Sequence, residues 1–187
     1  MLRALMRTDT DVVYVQDLGG VESATLALSA AIEHQKLVIA PLHSSSAVAA
    51  VTHFVKLGIE PWLVGSGIAL IQAQRLLRRL CPVCREHAVV LGTPSPDEQT
   101  GENTPEPFAS HRAVGCDACH GLGYTDEKVL VCDSMPFSDH LQQLVIEKAS
   151  ENELQAEAAR EGMTTMRSMA LDVAREGVTT LNEVYLH

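Results

Sequence analysis

Four cysteines in two Cys-x-x-Cys pairs, Cys81/Cys84 and Cys116/Cys119, constrain this chain more than any other feature. Each pair brings two sulfurs to one side of a tight turn, and two such turns complete a tetrahedral S4 shell for Zn²⁺. The 31 residues between the pairs make a wide gap. That gap holds 91–110, LGTPSPDEQTGENTPEPFAS, whose Pro, Gly and acids bury little apolar surface; it is expected as a mobile loop. An S4 site has no open coordination position, so the spacing predicts a structural zinc site that folds a hairpin tip. A thiol redox pair and unliganded cysteines are the two other readings of the same spacing. Cys132 lies in an apolar run and is expected as a buried free thiol. His120 adjoins the second pair and is expected outside the ligand set.

Ahead of the cysteines, Val12 to Ser46 reads VVYVQDLGGVESATLALSAAIEHQKLVIAPLHSSS. Two β-branched runs, Val12–Val15 and Leu37–Ala40, flank a stretch of helical period from about Val21 to His34. Strand, helix, strand is the layout of a parallel βαβ unit, and such sheets carry their chemistry beyond the carboxyl ends of the strands. Asp17 follows the first run and His43 the second, so these two mark the edge of a candidate site. Further helices are expected at about 2–9, 46–57 and 61–66, the second stopped by Gly58. Residues 68–80, IALIQAQRLLRRL, fit neither period cleanly and are expected as helix passing into strand. Val129–Cys132 is a short strand that can pair with the segment before Cys81, giving a long hairpin tipped by both cysteine pairs. The last third reads as helices over 139–148, from Ser150, from Thr164 or Thr165, and a short final one. Ser150 with Glu153 and Thr180 with Glu183 have capping-box spacing, and Gly162 and Gly177 stop helices.

The net charge of −10 argues against a nucleic-acid partner, which needs clustered Lys and Arg. Arg75, Arg78, Arg79 and Arg85 form the one basic cluster, expected to be solvated or paired within the chain rather than to hold phosphate. No apolar run reaches the roughly 18 residues that span a bilayer, and the N-terminus is too weakly apolar for a signal peptide. A cytosolic setting with reduced thiols follows as an expectation. No G-x-x-x-x-G-K-[ST] loop, G-x-S-x-G elbow, HExxH or dinucleotide fingerprint occurs in the chain. Without a phosphate loop, ATP would have neither its backbone cradle nor its lysine.

Several segments in order resemble the C-terminal half of the motor domain of secretion ATPases, those of type II secretion and type IV pilus assembly. LRALMRTDTD is similar to the family's L-R-x-x-L-R-x-D-P-D. VVYVQDLGGVES stands where the family has its Walker B stretch, and KLVIAPLHSSS at its His box. AQRLLRRLC resembles A-Q-R-L-x-R-x-L-C, GCDACHGLGY resembles the second zinc pair, and the tail ASENELQAEAAREGMTTMRSMALDVAREGVTTLNEV resembles the family tail. The departures fall at the nucleotide site. The Walker B glutamate is Asp17, the Arg-Asp that follows is Gly19-Gly20, and the first His-box histidine is Lys36. Glu22 and His43 keep the family's residue types.

The resemblance implies an α/β fold: a partial RecA-like parallel sheet, a tetracysteine zinc hairpin insertion and a helical C-terminal tail. It implies a division at 1–80 for the motor core, 81–124 for the zinc insertion and 125–187 for the last strand and tail. It implies Asp17, Glu22 and His43 as catalytic-side residues, and Cys81, Cys84, Cys116 and Cys119 as zinc ligands. ATP and Mg²⁺ are expected only in a complete motor, because the half with the phosphate loop and Asp box lies outside the resemblance. The expected partners are other ATPase subunits in a hexamer and an inner-membrane platform protein, met on the cytoplasmic face without a membrane span. An alternative from another class is a zinc-stabilised interaction module that binds a full-length ATPase or the platform without nucleotide chemistry.

Overall fold

The structure is a computed structural model that describes Ala4 and residues 8–90 and 108–186. The helix end expected at 2–9 and most of the loop expected at 91–110 lie outside the described residues. The chain divides into two compact units, each built from two chain segments: Met1–Ala73 with Asp133–Met163, and Gln74–Cys132 with Thr164–His187. The expected boundaries after 80 and after 124 both fall inside the second unit.

The first unit opens with the βαβ layout. Strands β1 (Val12–Tyr14) and β2 (Leu37–Ile39) are parallel neighbours, with Val12 opposite Leu37 and Tyr14 opposite Ile39. Helix α1 (Val21–Glu33) joins them and buries Ala24, Ala27, Leu28 and Ala30. Among the described residues the parallel sheet is this pair alone, the two strands expected, and a RecA-like sheet is not evident from it. Helices α2 (Ala47–Lys56) and α3 (Pro61–Gly67) follow at the expected places; Ser46 Oγ caps α2 by accepting from Ala49 N at 3.1 Å. Helices α4 (Asp139–Ile146) and α5 (Glu151–Arg160) complete the unit around a core that includes Val48, Val51, Phe54, Leu63, Leu141, Val145 and Leu154. Gly65 lets α3 meet α4 closely, since a Cβ there would lie 2.9 Å from the Gln142 carbonyl oxygen.

The local reading gave way at 68–80, where the chain passes from the first unit into the second. Leu70–Leu80 is one strand, β3, with no helical turn among its residues. It pairs with β6 (Tyr124–Pro136), which extends the short strand expected at Val129–Cys132 in both directions. Pairing sets the period: Leu77 is buried while Leu76 and Arg78 are exposed, and Leu77 packs with Val131 and Ala170. A second hairpin was not anticipated. Strands β4 (Glu86–Val90) and β5 (Phe108–Arg112) are antiparallel, with Ala88 opposite Ser110. Phe108 to Ser110 therefore belong to a strand, not to the end of the expected loop. Phe108 is buried against Leu171, Ala174 and Leu181 of helices α6 (Met166–Arg175) and α7 (Leu181–Leu186).

The expected Thr180–Glu183 cap holds in one half. Thr180 Oγ1 accepts from Glu183 N at 3.2 Å. The Glu183 carboxylate, 2% exposed, accepts from Arg78 N at 3.1 Å, from Nε at 2.9 Å and from Nη2. Arg79 pairs with Glu127, and Arg85 Nη1 donates to the Gly177 carbonyl, so three members of the basic cluster have partners within the chain. Cys132 is half-buried rather than buried, and its N–H points at Met169 Sδ.

These caps and pairs set three expectations for stability. In the Ser150–Glu153 capping box, Ser150 N and Oγ donate to Glu153 Oε2 at 2.7 and 2.8 Å. Ser150→Ala is expected to cost about 1 kcal/mol at neutral pH, measured by urea unfolding. The Ser150 N–H, then its hydroxyl, holds the Glu153 carboxyl below its usual range. A depressed carboxyl adds stability above its unfolded value, and that stability is lost as pH falls through the folded value. The melting-temperature gap between wild type and Glu153→Ala should therefore be full at pH 7 and close on acidification below pH ~4. Glu183→Ala, which leaves the Arg78 N–H without its acceptor, is expected to lower unfolding free energy by about 2 kcal/mol in the same assay.

Candidate functional site

The two Cys-x-x-Cys turns converge as their spacing predicts. The four Sγ atoms of Cys81, Cys84, Cys116 and Cys119 all lie within 4.8 Å of one another. Cys81–Cys116 is 3.9 Å, Cys84–Cys119 3.8 Å and Cys116–Cys119 3.8 Å. Sulfurs of a tetrahedral shell with metal–sulfur bonds of about 2.3 Å stand about 3.8 Å apart, so the cluster has the size of a filled S4 site. None of the five cysteines is in a disulfide. The four could hold one metal ion.

Backbone geometry makes the turns. Cys116–Cys119 is bridged by a 3₁₀ turn over Asp117–Cys119, followed by His120 and Gly121 in the left-handed region. Gly115 and Gly123 sit at φ of 104° and 76°, and a Cβ on either would collide, with the Gly121 oxygen at 2.5 Å and the Ala113 Cβ at 2.6 Å. Main-chain N–H groups face the sulfurs. Gly115 N donates to Cys84 Sγ at 3.3 Å, and Cys116 N and Gly123 N donate to Cys119 Sγ at 3.2 Å each. Burial and the neighbouring sulfurs push the Cys84 thiol up to about 12 against the pull of Gly115 N–H. At Cys119 burial also opposes the charge, but the Cys116 and Gly123 N–H groups prevail and bring it down to about 6. Of these two, Cys119 is the readier to ionise, and the thiolate is the form that binds metal. His120 is exposed and outside the cluster.

Asp17 and His43 are exposed and lie beyond the carboxyl ends of adjacent parallel strands, three residues past Tyr14 and four past Ile39. Asp17 Oδ1 accepts from Gly19 N at 2.7 Å, which fixes the carboxylate over the turn into α1. A side chain at residue 19 would crowd it, with Cβ 3.0 Å from Oδ1. Glu22 is exposed in the first turn of α1. Lys36, at the first His-box position, is turned away to the N-terminal segment: Nζ donates to the Thr8 and Thr10 carbonyls at 2.8 and 2.7 Å.

Sequence reasoning missed Asp133. It is 4% exposed, and its carboxylate accepts from Ala47 N at 3.4 Å and Ala73 N at 3.2 Å. It thereby holds the start of α2, the end of the His43 segment, against β3. Burial raises its carboxyl above the usual range, opposed by these N–H groups. The signal available in sequence was one acid inside the apolar run VLVCDSMP.

Among the described residues no helix is long and apolar enough to cross a membrane. The profile of the family described as "Type II/IV secretion system protein" matches residues 1–186. The type IV pilus assembly ATPase PilB of Myxococcus xanthus is 36% identical over 189 residues, covering 98% of this chain and 32% of that protein. The type II secretion system ATPase E of Vibrio cholerae is 35% identical over 190 residues, covering 98% of this chain and 35% of that one. The chain spans about a third of the length of these relatives. In fold it is similar to the X-ray structure of the Legionella pneumophila ATPase DotB, with a TM-score of 0.64 at 15% identity, over 99% of this chain and 40% of that one. With residues 1–186 matched by the family's profile, the chain belongs to the type II/IV secretion system protein family.

Proposed function

We propose that this chain supplies the Walker-B and His-box side of a secretion or pilus-assembly ATPase, together with a zinc-stabilised subdomain, and does not hydrolyse ATP alone. The observation that carries the proposal is the outer face of the β1–β2 pair. Val12, Tyr14, Leu37 and Ile39 are 54, 66, 58 and 51% exposed, side by side in register, while Val13 on the opposite face is buried. Four contiguous apolar side chains on a sheet face mark a surface made to be covered. Its proposed occupant is the part of the motor that carries a phosphate loop, since the relatives are about three times as long as this chain. Asp17 and His43, at one end of the same strand pair, are the groups this chain offers there, with Glu22 on the adjoining helix. In such a motor Mg²⁺ supplies charge neutralisation on the transferred phosphoryl group. Asp17, oriented by Gly19 N–H, would orient the water or ion, and His43 would face the phosphates. The wider assignment is a partial RecA-like motor core in a hexamer, on the cytoplasmic face of the inner membrane, against a platform protein.

A second reading, an adaptor that binds such an ATPase without nucleotide chemistry, draws support from Lys36, whose ammonium is tied to Thr8 and Thr10. The two readings separate on one residue. Mixing the chain with a phosphate-loop half of a family motor is expected to restore ATP hydrolysis, and Asp17→Ala to lower the restored rate by about 100-fold or more. An unchanged rate in Asp17→Ala would select the adaptor.

The metal proposed for the four thiolates is Zn²⁺, by ligand softness and tetrahedral size. Elemental analysis is expected to find one zinc per chain. Cys119→Ser should lose it, and chelation should unfold the second unit cooperatively by circular dichroism. A chain that keeps its fold and loses nothing on chelation would return the cysteines to the redox or unliganded readings.

A further inference from the structure

We infer that His140, Glu157 and Glu161 form a second cation site in the first unit, chemically distinct from the four thiols and able to take a divalent ion such as Mn²⁺ that accepts oxygen and imidazole ligands. His140 stands in the first turn of α4, and Glu157 and Glu161 stand one turn apart at the end of α5. One ligand atom from each, the His140 ring nitrogen and two carboxylate oxygens, lies within 4.8 Å of the others. His140 Nδ1 is 2.8 Å from Glu157 Oε1.

What distinguishes the trio from a scatter of surface acids is that each carboxylate is already aimed. Glu157 is only 7% exposed; its second oxygen, Oε2, is held by Arg160 Nη1 at 2.7 Å, leaving Oε1 turned to the imidazole. Glu161 Oε1 accepts from Ser138 Oγ, the cap of α4. Partners behind the ligands are what metal-binding carboxylates require in order to keep their orientation. The imidazole and Glu157 line a surface groove with Asn152, Glu153 and Arg160, which gives an ion access and room for water ligands, and Glu161 stands outside that lining. Two carboxylates against one guanidinium leave the site net negative, and one imidazole with two carboxylates suits hard and borderline ions rather than thiophilic ones. An ion there would cross-link α4 to α5, which now meet through the His140–Glu157 bond.

Mn²⁺ is the probe, because it does not compete for a thiolate site already filled with zinc. Titrating the zinc-loaded chain and following the six-line EPR signal of free Mn²⁺ is expected to show one saturable site per chain and a raised melting temperature. His140→Ala and Glu161→Gln, both at exposed positions, should each weaken Mn²⁺ binding at least about tenfold while the zinc content and the circular dichroism stay unchanged. Absence of saturable binding below about 1 mM, or binding equally tight in both variants, would overturn the assignment and leave the trio as an ion pair between helices.

Discussion

The Glu183 carboxylate is sealed from water, and the second unit is arranged so that it meets donors. A carboxylate taken out of water without hydrogen bonds or a counter-charge costs several kcal/mol. Here Arg78 meets it with its main-chain N–H and its guanidinium. The guanidinium lies over the Tyr124 ring at 4.2 Å, and the Tyr124 hydroxyl is 3.0 Å from Thr180 Oγ1. Thr179 Oγ1 donates to the Arg78 carbonyl, Leu80 N to the Val178 carbonyl, and Arg85 Nη1 to the Gly177 carbonyl. The segment 177–183 is thereby stitched along the strand that ends at Cys81. The base of the first Cys-x-x-Cys turn is tied to residues about a hundred positions away.

Asp133 plays the same part in the first unit. It reaches back to Ala47 and Ala73, and so places the start of α2 and the His43 segment that precedes it. In each unit one buried acid from a late segment closes structure begun by an early one. Breaking either acid leaves main-chain N–H groups without acceptors, a larger loss than removing an exposed pair such as Arg112–Glu86.

The thiol cluster and the sheet pair stand in contrast. The left-handed glycines of the cluster sit in its own turns, and two of its N–H donors, Cys116 and Gly123, lie within four residues of Cys119, while Gly115 N reaches Cys84 from the other turn. The sheet pair is open, with one face buried in the core and four apolar side chains on the other.

The features legible in the sequence were those whose cause is local. The Cys-x-x-Cys spacing, the βαβ run from Val12, the Ser150 cap and the ordered family segments all depend on residues a few positions apart, and periodicity and capping reach no further than about four residues. The tertiary structure decided what depends on a distant partner. Residues 68–80 alternate in a way that either period tolerates, and only pairing with Tyr124–Pro136 made them strand. Glu183 has the spacing of a cap, yet Arg78 takes its carboxylate. Phe108–Arg112 became a strand because Glu86–Val90 lay across from it and Leu171 and Ala174 covered Phe108. The acid of VLVCDSMP became a buried anchor because Ala47 and Ala73 present N–H groups to it. Burial of a polar group is stable only where the fold delivers its partner, and that delivery is a property of the folded chain, not of any window of residues.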